Sequence, residues 1–265
     1  MGKFIFTNGG GLSVASGPST TSKANSNLTG FLDAPDTLYG SAGDGSVTLD
    51  GTSTYTTLGM AAPSSSVQTA TRDLYFYNLT ISAGVRLNPA GYRIFVQNIL
   101  MLGNGSSIGY TTGFSTAGSI QQGGAANHAT NSPVTHSLGG SSATYNAVAP
   151  TALTGGTNYY YQPLQAVRGY SITGSSTSAT FLRGGAGGAG ASGVGGGVVI
   201  VAARYISLSS GSATIDAPGT AGSGGGGGGV VIIISSAPTL LTGVTTSVVG
   251  GTGCAAGTSI YLQVA

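Results

Sequence analysis

The chain has 265 residues, of which only 5% are charged, and its formal net charge is +2. Ordinary globular proteins have about 25% charged residues, and nucleic-acid binding needs clustered lysines and arginines, so we expect no nucleic-acid partner. The 49 glycines exclude a helical fold, because each glycine costs a helix about 1 kcal/mol relative to alanine. Uncharged β-branched segments argue against disorder, so the composition predicts an all-β protein.

Residues 1–50 are predicted to form an N-terminal arm with short strands. A strand is expected over 3–7, followed by a polar segment rich in serine, threonine and asparagine. Asp-Gly pairs at Asp44 and Asp50 predict turns on either side of a further strand at 46–49. The arm is interpreted either as an ordinary terminal β-edge or as an attachment segment, and in the second case Phe4 and Phe6 are candidate contacts.

The start of the chain carries no recognisable secretory signal. One lysine and three apolar residues precede Thr7, which interrupts the apolar run. We therefore expect the protein to be made in a cytoplasm without signal-directed export. The longest apolar run, Val230–Ile234, is too short to cross a bilayer, so no membrane partner is expected.

Residues 51–109 are predicted to form the first β passes of the body. One pass spans 73–91 and the next spans 92–109, each with alternating apolar and polar residues around a small turn. Residues 184–265 are predicted to close the same domain with two more passes, at 198–219 and 230–251. The sequence GGGVV begins at Gly195 and again at Gly227, a spacing of 32 residues.

Four similar passes closed by Gly, Asn and Ser turns favour a parallel β-helix or solenoid-like stack, in which each coil covers the apolar face of the last. An antiparallel β-sandwich or jelly roll is the alternative, since turn signals every 8–12 residues also fit that fold. The recurrence of GGGVV in register favours the solenoid. The glycine runs are interpreted as packing devices that allow positive φ and close approach of backbones.

Between the two halves of the body lies an insert, residues 110–183. Long inserts in repeat folds emerge on one face, which is often the working surface. This insert is rich in tyrosine, a residue enriched in binding surfaces, although the rings could instead close the insert onto the body. The candidate interaction residues of the insert are Tyr110, Tyr145, Tyr159, Tyr160, Tyr161 and Tyr170.

The sequence predicts no enzyme, no cofactor and no metal. Glycoside cleavage generally needs two carboxylates, whereas Asp216 is the single acid after Asp73. His128 and His136 stand in a Gly/Ser/Thr segment without a third ligand. The run Gly224–Gly229 leads into a valine strand and lacks the Lys-Ser/Thr pair of a phosphate-binding loop.

The strings TRDLYFYNLTISAGVRLNPAGYRIFVQNILMLGNGSSIG, FLRGGAGGAG, GGGVVIVAARYISLSSGSATI and GGGGGGVVIII resemble glycine-rich structural proteins of tailed-bacteriophage virions. The resemblance covers roughly Asp44 to Ser236. The runs are also similar to those of tail-tip adhesins with packed polyglycine helices, although those domains have many runs and this chain has two strong ones.

The resemblance implies a virion component without catalysis. A capsid decoration, or cement, protein is the first reading, with the major capsid protein as partner and a homotrimer as the expected oligomer. A receptor-binding tail adhesin that recognises a host surface glycan is the alternative. A polysaccharide-cleaving β-helix enzyme is the third reading, which the shortage of carboxylates disfavours.

Overall fold

The computed structural model describes residues 38–111, 194–221 and 225–264, together with the backbone of four short strands outside these ranges. Strands dominate, and a 3-10 turn at Thr56–Leu58 lies between two of them. The strands described are β1 Lys3–Phe6, β2 Leu12–Ala15, β3 Ser46–Leu49, β4 Val67–Thr69, β5 Leu74–Phe76, β6 Asn78–Ile81, β7 Arg86–Asn88, β8 Ile94–Leu102, β9 Ser107–Gly109, β10 Val134–Thr135, β11 Ala147–Val148, β12 Val198–Leu208, β13 Ala213–Asp216, β14 Val230–Ser235, β15 Val244–Ser247 and β16 Thr258–Gln263.

Two large parallel sheets form the body. One has seven strands in the order β16-β14-β12-β8-β6-β3, with β5 beside β8, and the other has five in the order β15-β13-β9-β7-β4. From β6 to β16 the described strands, apart from β10 and β11, alternate between the two large sheets along the chain. The prediction of an all-β protein is confirmed, and the pairing within both large sheets is parallel, unlike that of an antiparallel sandwich. Strands β1 and β2 pair antiparallel, and β10 and β11 pair parallel, in two small separate sheets.

The repeated glycine-valine sequence lies in register in the seven-stranded sheet. Val198 of β12 is opposite Val230 of β14, and the pairing continues to Ala202 opposite Ile234. Strand β3, which the sequence places in the arm, pairs with β6 and forms the far edge of this sheet. The last strand, β16, adds a further rung beside β14, beyond the passes that the sequence predicts.

The main core lies between the two sheets because alternate residues of each strand point inward. Leu79, Leu100 and Leu102 of the large sheet meet Leu87 and Ile108 of the smaller one, and all five are fully buried. Burying such a side chain contributes about 2 kcal/mol. A second apolar cluster occupies the other face of the large sheet and contains Leu38, Tyr39, Phe95, Val198, Ile200, Ala202, Val230, Ile232 and Ile234.

Three corners between the sheets use the same hydrogen-bonded four-residue turn, at 82–85, 103–106 and 241–244. The third residue of each is a glycine in the left-handed region, with φ of 69° at Gly84, 69° at Gly105 and 91° at Gly243. In the second corner the Ser106 N–H donates to the Gly103 carbonyl at 3.0 Å. Glycine adopts this conformation without the steric cost that a Cβ imposes.

The glycine runs have a different task. They form a layer, here called the glycine layer, in which the segments entering β12, β14 and β16 bond to one another and to the segments leaving β13 and β15. The Gly196 N–H donates to the Gly227 carbonyl at 2.8 Å, and the Gly229 N–H donates to the Ala217 carbonyl at 2.7 Å. A Cβ on Gly229 would lie 2.0 Å from the Gly197 carbonyl oxygen, which is far inside contact distance.

Positive φ does not explain these runs. No glycine of 195–197 or 225–229 has a positive φ, so of the two properties inferred from the sequence only close backbone approach applies there. At Gly196, Gly226, Gly228 and Gly229 glycine is required because neighbouring backbone occupies the space in which a side chain would lie.

Replacing glycine by alanine should have graded effects on stability. We expect Gly229→Ala to lower the free energy of unfolding by about 3 kcal/mol through overpacking against backbone, and Gly105→Ala by about 1 kcal/mol through the left-handed φ alone. Gly43→Ala is the matched control, because its nearest contact is an ordinary 3.5 Å to Ser41, and it should change stability by less than about 0.5 kcal/mol. Urea unfolding measures all three, and equal losses would contradict the close-approach argument.

Candidate interaction surfaces

Of the tyrosines predicted as contact residues, the structure describes Tyr110 alone. Tyr145, Tyr159, Tyr160, Tyr161 and Tyr170 lie outside the described residues. Phe4 and Phe6 fall within β1, of which only the backbone is described. Their proposed role in binding stays a prediction.

Tyr110 is placed inside the protein. It is 2% exposed, and its hydroxyl donates to the Val198 carbonyl at 2.9 Å and accepts from the Gly91 N–H at 3.1 Å. Burial raises the pKa of Tyr110 above its ordinary value. A Cβ on Gly197 would lie 2.7 Å from the ring, so the glycine makes room for it. The contacts of Tyr110 are therefore internal: it joins the end of the second pass to the start of β12.

Two arginine–aspartate pairs hold the surface next to β5 and β8. Arg72 contacts both carboxylate oxygens of Asp44, at 2.5 and 3.2 Å, and the same carboxylate accepts the Tyr75 N–H at 2.7 Å. Asp73 accepts from the Arg93 backbone N–H at 2.8 Å and from its Nε at 2.7 Å. Arg93 also lies 5.5 Å from the centre of the Phe95 ring, which stacks on Tyr75. Both carboxylates bond to side chains and to backbone N–H groups, and so they hold β5 and the start of β8 in place.

A third pair, Arg86–Asp216, spans 130 residues of sequence. The guanidinium contacts the two oxygens of Asp216 at 2.6 and 3.0 Å and also donates to the Tyr110 carbonyl at 3.1 Å. Burial raises the pKa of Asp216, while the hydrogen bonds and charge of Arg86 act in the opposite direction. Asp216, the acid that would have to serve a polysaccharide-cleaving site, is thus paired with an arginine of β7 in the same five-stranded sheet.

The remaining described carboxylate, Asp50, stabilises a turn. It accepts from the Ser53 hydroxyl at 2.6 Å and from the N–H groups of Ser53 and Thr52 at 2.7 and 2.8 Å. These hydrogen bonds, led by that of the Ser53 hydroxyl, hold the pKa of Asp50 well below its usual range. The prediction that Asp44 and Asp50 form turns holds, and Asp44 additionally bonds to a later pass.

Arg204 differs from the other described arginines, because no aspartate pairs with it in the part of the chain that is described. It lies at a register shift between β8 and β12, and its guanidinium is 5.8 Å from the centre of the Tyr205 ring. Tyr205 is 48% exposed and Tyr77, two strands away, is 46% exposed. We call Tyr77, Arg204 and Tyr205 the arginine–tyrosine ridge; the Arg-Tyr pair inside an otherwise uncharged strand was its signal in the sequence.

Tyr39 connects this region to the end of the described chain. Its hydroxyl donates to the Val264 carbonyl at 3.1 Å, and the ring belongs to the second apolar cluster. Burial raises the pKa of Tyr39 to about 12, although the nearby charge of Arg204 acts in the opposite direction. The protonated hydroxyl therefore keeps its bond to Val264, the residue after β16, throughout the neutral range.

A groove of about 280 Å³ lies beside β16 and carries no charged lining. Its walls are Ile206, Ala237, Pro238, Thr239, Leu240, Leu241, Thr242 and Tyr261. The Tyr261 hydroxyl bonds to the carbonyls of Ala237 and Thr239, at 2.9 and 3.1 Å, and so closes one side.

Within the described ranges, no three His, Cys, Asp or Glu side chains are grouped so as to hold a metal ion. His128 and His136 lie outside those ranges. Nor do those ranges contain a helix long and apolar enough to cross a membrane.

No protein-family model, curated protein or solved structure matches this chain.

The Arg86–Asp216 pair should contribute to stability. We expect Asp216→Asn to lower the free energy of unfolding by about 2 to 3 kcal/mol, because it leaves a largely buried guanidinium without its counter-charge. The double variant Arg86→Met/Asp216→Asn should recover part of that loss, since the uncompensated charge is then absent. Chemical unfolding of both single variants and the double variant gives the coupling energy; additive losses would show that the pair is not coupled.

Proposed function

We propose that this chain is a non-enzymatic structural component of a bacteriophage virion and that it decorates the head. We further propose that its two parallel sheets are the faces of a β-solenoid whose coils are the successive passes. The alternation of strands between the sheets supports the solenoid, since each pass adds one rung to both.

The observation that carries the proposal is that all the described carboxylates make contacts within the protein. Three of the four described carboxylates pair with arginines and the fourth stabilises a turn. The glycine layer elsewhere in the body is bonded backbone to backbone. A rigid and nearly uncharged body suits a subunit that is packed among neighbours, and catalysis generally needs acids or bases that are free to exchange protons.

The partner in this proposal is the major capsid protein, with assembly in the host cytoplasm. The homotrimer expected from the resemblance stays a prediction, and a dimer of this chain in solution would contradict it.

The number of copies per particle tests the proposed position. We expect hundreds of copies of this chain in each purified particle, because a decoration protein follows the capsid lattice. Mass spectrometry with isotope-labelled peptides, calibrated against the major capsid protein, measures the ratio. A dozen copies or fewer would place the chain in the tail, and loss of a polysaccharide-cleaving activity in a folded Asp216→Asn variant would contradict the non-enzymatic role.

A receptor-binding adhesin that recognises a host surface glycan is the second candidate, and the arginine–tyrosine ridge is the observation that favours it. Exposed tyrosine rings supply large contact area at low entropic cost, and a guanidinium that pairs with no aspartate of the described ranges can bind a carboxylate on an acidic sugar.

The ridge can be tested separately from the copy number. If the chain is an adhesin that uses this ridge, Arg204→Ala/Tyr205→Ala should weaken binding to host cells or acidic glycans at least tenfold, by loss of the charge-assisted contact and the ring. Ser210→Ala, an exposed change in the turn after the same strand, is the control. Binding measured by flow cytometry that is equal for both variants would contradict a role of the ridge.

A further inference from the structure

The two ends of the paired sheets differ. At the β3–β4 end, residues 51–66 cover the last rung: Met60 is 2% exposed, and the Tyr55 hydroxyl donates to the Thr48 carbonyl. The Ala61 N–H donates to the Thr69 carbonyl at 2.8 Å, and the Gln68 side chain donates to the Ser53 carbonyl at 2.8 Å. Residues 51–66 thus occupy the outer edge of β4 and the Thr48 carbonyl of β3, so another strand could add to this end only by displacing them.

At the opposite end, β16 has one neighbouring strand, β14, among the described strands. The N–H groups of Thr258 and Val264 donate to that side, to Gly229 and Ser235, at 3.1 and 2.8 Å. Because backbone direction alternates along a strand, the N–H and C=O groups of Ser259, Tyr261 and Gln263 point to the open edge. Charged side chains and proline are two of the usual protections of an edge strand. The strand TSIYLQ contains neither.

The surface around this edge is apolar and uncharged. Leu241, which lines the groove beside Tyr261, is 38% exposed, and Val249 is 56% exposed. The sequence from 225 to 264 contains no Asp, Glu, Lys, Arg or His. A partner for this end must therefore offer main-chain hydrogen bonds and apolar surface, and it gains nothing from a charge of either sign.

We propose that this end is the two-fold interface between two copies of this chain, with β16 of one copy pairing antiparallel with β16 of the other. A second copy supplies the same uncharged surface and the same open edge. The β16 end of one copy cannot stack on the β3–β4 end of another, because residues 51–66 cover that end. Two copies must therefore meet through the same β16 end, in an isologous contact.

The geometry fixes a register. If the two-fold axis passes beside Tyr261, each Ser259 lies opposite Gln263 of the second copy, and the outward-facing groups form about six backbone hydrogen bonds. The two large sheets then become one continuous sheet. This inference does not depend on the proposed place in a virion.

Proline at position 259 tests the contact, because it removes an outward N–H and leaves the bonds to β14 intact. For the full-length chain under reducing conditions, which exclude disulfides through Cys254, we expect a dimer by sedimentation equilibrium between about 1 and 100 µM. Ser259→Pro should weaken dimerisation at least tenfold, and Ser259→Ala should not. Gln263→Lys, which adds a charge to an exposed side chain of the same edge, should act like the proline variant, and circular dichroism should confirm that each variant is folded.

Several outcomes would overturn the proposal. A monomeric wild type at 100 µM, a trimer, or an open-ended polymer would each exclude a closed two-fold contact. A dimer that neither the proline nor the lysine variant weakens would place the interface elsewhere.

Discussion

The close approach of backbones in the glycine layer is the constraint on which the rest of the structure depends. In the segments that connect the two sheets, the backbones of successive passes can lie one hydrogen-bond spacing apart only if no side chain intervenes. The Gly196–Gly227 bond and the contact between Gly229 and the Gly197 carbonyl set that spacing. Val198 and Val230 directly follow these glycines and therefore meet in register, and the apolar ladder of the large sheet follows from that alignment.

Long-range polar contacts then join passes that the glycine layer does not reach. Tyr110 bonds to Val198, 88 residues later, and Arg86 holds Asp216 from the opposite half of the chain. Both cross the boundary of the long insert, so the two halves of the body form one core in spite of it. Such buried polar contacts favour one arrangement because leaving either partner unpaired is costly.

The sequence predicts the strands best where the pattern is local. The GGGVV repeat and the alternation from Tyr75 to Ile81 identified central strands, whereas β16 was missed because TSIYLQ follows a long stretch of Gly, Thr and Ala. Tyr110 was assigned to the insert as a candidate contact residue, since the glycine that accommodates its ring stands far away in sequence, at Gly197. The pairing of Asp44 with Arg72 was not foreseen either, because it arises from stacking. The exposed ridge at Arg204 depends on a register shift that no local pattern encodes.

The shared corner turn has a consequence for how such a chain can change in length. The strands of each described pass pair only with strands of the passes beside it, and three passes make the same turn at a glycine in the left-handed region. Duplicating the 32-residue unit that separates Val198 from Val230 would therefore insert one complete rung and extend the body by about 4.8 Å. The length of the body can therefore change in steps of one whole pass while both ends of the sheets stay the same.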